Sequence, residues 1–190
     1  MKTTYIVSGF MRTGTSMMMA ALEAGGLEAV KDGSRDDFNK SHSDDNYKPN
    51  IDGLYELDLS KIIKPDFPRQ YEGRLIKILS EQINGISPMQ YKVVFMLRDP
   101  EEIRQSCEAA FNRRIDVTDY QERMQALIRL LRNRKDMEVV VFQYRDVIEN
   151  PRKYFDMLDF FGWPIDAEMA AAKIDPKLYR FRKELLTPGI

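Results

Sequence analysis

Apolar positions along the chain fall into two alternating kinds of run. Four are short, dense and rich in β-branched or aromatic residues: 3–9 (TTYIVSG), 73–79 (GRLIKIL), 91–97 (YKVVFML) and 138–144 (EVVVFQY). Runs of this length bounded by glycine or polar clusters predict buried strands. Elsewhere the apolar residues space out by three and four. Met124, Leu127, Ile128 and Leu131 predict one face of a helix over 119–133; Tyr154, Phe155, Leu158 and Phe161 predict another over 151–161, stopped at Gly162. Residues 15–24 hold good helix formers ahead of Gly25 and Gly26, and 100–112 open with proline at the first turn. A shorter helix is expected over about 54–64, ending before Pro65. Strands alternating with amphipathic helices predict one α/β domain over 1–190, with a central parallel sheet flanked by helices.

One stretch breaks the alternation. Residues 31–53 are polar, charged and nearly free of aliphatic side chains. So long a loop inside a compact domain predicts a mobile lid or an acceptor-binding loop.

Composition narrows the chemistry by exclusion. The 190 residues carry a formal charge of only −1, which offers no global attraction for nucleic acid or an anionic membrane, so an anion site must be built locally. A single cysteine, Cys107, and a single histidine, His42, argue against a disulfide framework and against thiolate or imidazole metal clusters. The first residues are too weakly apolar for a signal peptide and no later run is long enough to span a bilayer, so a cytoplasmic setting without membrane insertion is expected.

Three places carry candidate chemistry. The first is GFMRTGTSMMM, directly behind the first predicted strand. Gly9, Gly14 and Ser16 stand in register with the phosphate-loop pattern G-x-x-x-x-G-K-[ST], but Thr15 occupies the lysine slot and Arg12 stands three residues earlier. Glycines free backbone N–H groups to point inward, the following helix adds its positive end, and Thr13, Thr15 and Ser16 add hydroxyls. An anion with less charge than a triphosphate fits such a loop; a plain glycine turn is the alternative. The second place is MLRDPEEIRQSCEAAF, where Arg98 follows a buried strand and Ser106 lies eight residues on. Ligands of open parallel sheets sit beyond the carboxyl ends of strands, so Arg98 is expected at the same rim as Arg12. It could equally cap the helix or pair with Glu101 or Glu102. The third is Lys77, inside an apolar strand, whose ammonium must find the strand's end or a partner.

Together these places resemble the sulfotransferases that use 3′-phosphoadenosine-5′-phosphosulfate (PAPS). That family's strand-loop-helix G-x-x-R-[ST]-G-T-[ST] is matched by Gly9, Arg12, Thr13, Gly14, Thr15 and Ser16, its strand-end arginine and later serine by Arg98 and Ser106, and its strand lysine by Lys77. The text AALEAGG, GLYE, GRLIKIL, FMLRD and YRD is similar to small bacterial members. The resemblance implies a phosphate-loop nucleotide-hydrolase architecture and transfer of a sulfuryl group to a hydroxyl or amine, with adenosine 3′,5′-bisphosphate (PAP) as product and no metal. It further implies that Arg12 and the loop stabilise the leaving phosphate, that Arg98 and Ser106 hold the 3′-phosphate, and that Arg180, in the family-like tail with Lys177 and Arg182, folds over the nucleotide. The family's catalytic histidine is replaced by Leu79. Glu56 is therefore the first expectation for the base and His42 the second. The acceptor is expected to be a small molecule, carbohydrate, lipid or peptide. A small-molecule kinase with a degenerate loop, or a non-catalytic nucleotide-binding relative, are the rival readings.

Overall fold

In a computed structural model, residues 2–31, 55, 57, 59–62, 64 and 66–182 are described. Four strands, β1 (Thr4–Gly9), β2 (Leu75–Lys77), β3 (Tyr91–Leu97) and β4 (Met137–Gln143), form one sheet in the order β2-β1-β3-β4, and every pair is parallel. Around it stand α1 (Thr15–Ala24), α2 (Leu59–Ile62), α3 (Ser80–Ile83), α4 (Pro100–Phe111), α5 (Tyr120–Asn133), α6 (Tyr144–Glu149), α7 (Pro151–Phe160) and α8 (Ala167–Ala172), with 3₁₀ turns at Phe67–Tyr71 and Pro176–Leu178. This is the α/β unit with a helix-flanked parallel sheet that the alternating runs predict.

Successive strand residues point to opposite faces, and the core divides accordingly. Val7, Leu75, Val94 and Met96 pack with Met18, Met19 and Leu22 of α1, and with Phe155 and Leu158 of α7. Ile6, Ile76, Val93 and Phe95 pack on the other face with Ile103 of α4 and Met124, Ile128 and Leu131 of α5. Trp163 is buried on the α1 face, its ring 5.1 Å from that of Tyr5.

The elements differ from expectation in several places. β2 is only Leu75–Lys77, because Gly73 bends the chain at φ 80 and Leu79 already caps α3. β4 begins at Met137 and stops at Gln143; Tyr144 is the first residue of α6, not the last of a strand. Of the helix expected over 54–64, the described part is Leu59–Ile62. The short helices α3, α6 and α8 were not anticipated, since none is long enough to display a periodic face. No described helix is long and apolar enough to cross a membrane.

The chain leaves β1 to build β2 on one side and β3 on the other. The crevice between the carboxyl ends of β1 and β3 is therefore the topological switch point, where open α/β sheets take their ligands.

Candidate functional site

The loop between β1 and α1 opens at this switch point. Its first glycine, Gly9, has φ 152, and a Cβ there would stand 2.6 Å from the Met96 carbonyl of the neighbouring strand. Arg12 itself is left-handed, at φ 64. Gly14 caps α1 at φ 90, and a Cβ there would come within 2.2 Å of the Tyr144 ring. Glycine at 14 thus does two things: it permits the turn and makes room for an aromatic side chain from the far edge of the sheet.

The loop hydroxyls divide their work. Thr13, fully buried, donates through Oγ1 to the Phe10 carbonyl at 2.7 Å, closing the turn from within. Thr15 is also buried. Ser16, in the first turn of α1, accepts from Lys77 Nζ at 3.1 Å. That contact follows from register. Lys77 pairs with Val7, so its side chain leaves the sheet on the α1 face, and as the last residue of β2 it reaches the helix's opening turn. A cation absent from the loop's own text is supplied by the adjacent strand. No acidic residue stands in that first turn to repel an incoming anion.

Arg12 Nε donates to Ser106 Oγ at 3.0 Å, and Arg98 Nη1 donates to the Arg12 carbonyl at 3.1 Å. Arg12, Arg98 and Ser106, read from separate stretches of text, therefore meet in one crevice. Phe111, at the end of α4, lies under the Arg12 guanidinium, with Cζ 6.0 Å from the ring centroid.

Arg98 is more enclosed than its position at a strand end suggested. It is 8% exposed, its Nε forms an ion pair with Glu102 Oε2 at 2.9 Å, and its Nη2 donates to the Phe181 carbonyl at 3.0 Å. Its Cζ stands 4.4 Å from the Tyr144 ring centroid and 5.5 Å from that of Tyr179. Glu102 Oε1 in turn accepts from the Tyr179 hydroxyl at 2.7 Å. Of the two pairings the text allowed, the structure selects Glu102, one helical turn along α4; Glu101 pairs with Arg104 instead. Asp99 accepts from the Glu101 amide as the cap of α4.

Burial pushes the Tyr144 phenol above its ordinary pKa, although Arg98 and Arg12 pull the other way. The same cause raises the Cys107 thiol, which keeps it protonated beside two guanidiniums. Burial carries Tyr120 up to about 12, with the Arg98 amide and guanidinium pulling the other way; among the described residues its hydroxyl has no partner at full hydrogen-bond geometry.

A cleft of about 280 Å³ opens one strand further along, beyond β3 and β4, lined in part by Arg98, Glu102, Tyr120, Gln143 and Tyr179. Its described lining includes no residue of the loop 9–16. The cleft borders the crevice of Arg12 and Ser106 through Arg98 and Glu102 without being that crevice. Among the described residues no group of three or more His, Cys, Asp or Glu side chains could hold a metal ion.

Arg180 is exposed and sits between Tyr179 and Phe181, both of which touch the Arg98 group. The candidate bases Glu56 and His42, and nearly all of the loop 31–53, lie outside the described residues. Glu102 was among the partners the text allowed for Arg98; the residues it did not anticipate are Phe111, Tyr144 and Tyr179 as aromatic walls. An acid one helical turn after a strand-end arginine is a legible signal; the aromatic walls left none.

No family model matches the chain. A stretch of 63 residues is 35% identical to part of a Bacillus subtilis (strain 168) protein described as an ATP-dependent DNA helicase, covering 33% of this chain. The chain spans only 8% of that relative's length. Among solved structures, a sugar kinase from Janibacter sp. HTCC2649 is similar at 15% identity and a TM-score of 0.43, covering 82% of this chain and 95% of its own. A sulfotransferase from Mycobacterium tuberculosis H37Rv is similar at 16% identity and a TM-score of 0.48, covering 90% of this chain and 71% of its own. Each is a distant likeness, and none assigns an activity to this chain.

Proposed function

We propose that this chain transfers a sulfuryl group from PAPS to a hydroxyl or amine of an acceptor. The observation that carries the reading is the Arg12–Ser106 hydrogen bond with Arg98 on the Arg12 carbonyl. A nucleoside phosphorylated at both 3′ and 5′ presents two anions from one ribose, and a crevice that brings a loop cation beside a second cation and a serine suits that shape. The linear triphosphate of ATP calls instead for a loop lysine and a metal-binding hydroxyl, whereas the hydroxyl at that position, Ser16, accepts from Lys77.

The reaction is an in-line displacement at sulfur. The acceptor oxygen or nitrogen forms a bond to sulfur as the bond from sulfur to the 5′-phosphate oxygen breaks, and negative charge grows on that departing oxygen. Arg12, Lys77 and the first amides of α1 stabilise it, in company with the Thr15 and Ser16 hydroxyls. Because the travelling group carries roughly one negative charge, less neutralisation is required than in phosphoryl transfer, and the reaction as written uses no metal. Arg98 and Ser106 hold the 3′-phosphate, and Arg180 approaches it from the tail. The acceptor's proton goes to a base, for which Glu56 is the first candidate and His42 the second.

Thermal unfolding in the presence of PAP or of ATP with Mg²⁺ tests the reading. A bound ligand raises the melting temperature by mass action. PAP is expected to give the larger shift; stabilisation by ATP with Mg²⁺ alone would sink the proposal in favour of a kinase.

A further inference from the structure

Glu102 is a buried carboxylate paired with Arg98, and nothing in the reaction above uses it. We infer that Glu102 is a positioning residue: it orients the Arg98 fork toward the 3′-phosphate of the donor and ties the tail segment carrying Tyr179 and Phe181 to the same fork. The inference rests on the sulfuryl-donor reading.

The geometry is specific. Both partners of the ion pair are nearly sealed, with side-chain exposures of 7% for Arg98 and 3% for Glu102. Each carboxylate oxygen has its own task, Oε2 on Arg98 Nε and Oε1 under the Tyr179 hydroxyl. A guanidinium is planar, so a bond to Nε fixes where both Nη groups point. Here they point to carbonyls, Nη1 to Arg12 and Nη2 to Phe181. The three bonds take three of the five N–H groups, leaving one on each Nη for a phosphate oxygen. Tyr144 at 4.4 Å bounds the guanidinium on another side. Without Glu102, Nε would have to seek another acceptor, and the plane would turn.

A second effect opposes this one. The carboxylate's charge also cancels part of the cation's pull on phosphate. The two effects separate by substitution, since glutamine keeps an acceptor and the shape but drops the charge, whereas alanine removes both.

The test compares dissociation constants for PAP and for adenosine 5′-phosphate on the same purified protein. Their ratio isolates the 3′-phosphate, so a general loss of stability cancels. Wild type is expected to prefer PAP. Glu102→Ala should shrink that preference about tenfold, the worth of one charge-assisted hydrogen bond. Glu102→Gln should keep it to within about threefold. Should the alanine variant fail to fold, Tyr179→Phe cuts only the second bond of the carboxylate, and a fall of about threefold is expected. A larger preference for PAP in both Glu102 variants would mean that charge cancellation dominates, and would overturn the inference. So would an unchanged ratio in Glu102→Ala, or in Tyr179→Phe where that variant stands in. Wild type that does not distinguish the two nucleotides would overturn the donor reading itself, and the inference with it.

Discussion

The two sides of the crevice hold their cations in different ways. On the β1–β2 side, Arg12 and Lys77 donate to the hydroxyls of Ser106 and Ser16. A ligand oxygen can replace a hydroxyl partner at little loss. On the β3 side, Arg98 meets a buried carboxylate, two main-chain carbonyls and two aromatic rings. Such a cation is costly to disturb, since breaking a buried pair strands the partner's charge. Under the proposed reaction, the first side answers to changing charge and the second holds a fixed shape.

Substitutions break or sharpen that contrast. The largest effect on stability is expected at Arg98. Arg98→Ala should lower the unfolding free energy by about 3–5 kcal/mol, because Glu102 is left charged and buried, and should weaken PAP binding as well. Denaturant titration checks the first part; a loss under about 1 kcal/mol would show that the fixed side is not structurally fixed. Arg12→Ala should do the reverse, leaving stability near wild type while turnover of PAPS to PAP falls by about 10²–10³-fold, as when an oxyanion donor is removed. If its melting temperature fell as far as that of Arg98→Ala, the two sides would not differ in kind.

Gly14→Ala touches both sides at once. The added Cβ meets the Tyr144 ring at 2.2 Å in a left-handed conformation. A loss of about 2 kcal/mol is expected in chemical unfolding, along with weakened PAP binding as the ring shifts against Arg98. A neutral result would uncouple the loop from the Arg98 wall. The smallest effect is reserved for Tyr120→Phe. Among the described residues its buried hydroxyl has no partner at full hydrogen-bond geometry, so removing it should leave stability unchanged or raise it by under about 1 kcal/mol. A marked loss would reveal a partner for that oxygen.

Part of this architecture is local, and the text carries it. Spacing of Gly9, Arg12, Gly14 and Ser16 behind an apolar strand specifies strand, loop and helix within a few residues, and each observed element lies where the pattern put it. Arg98 at a strand end is equally local. Other parts are not. Apolar, β-branched neighbours make Tyr144 look like the end of a strand, whereas it opens α6 and its ring occupies space that a Cβ on Gly14 would fill. Glu102 and Tyr179 meet across 77 residues of sequence.

What the sequence alone determined, then, is which of the longer elements form and which cations and hydroxyls are on offer, since periodicity, glycine spacing and strand ends depend on near neighbours. Tertiary structure decided their company. Parallel register turned Lys77 onto the α1 face and up to Ser16. Strand order put Arg98 beside the loop. Burial then required that guanidinium to find a carboxylate, because desolvating a charge is tolerable only when distant parts of the chain arrive together to satisfy it.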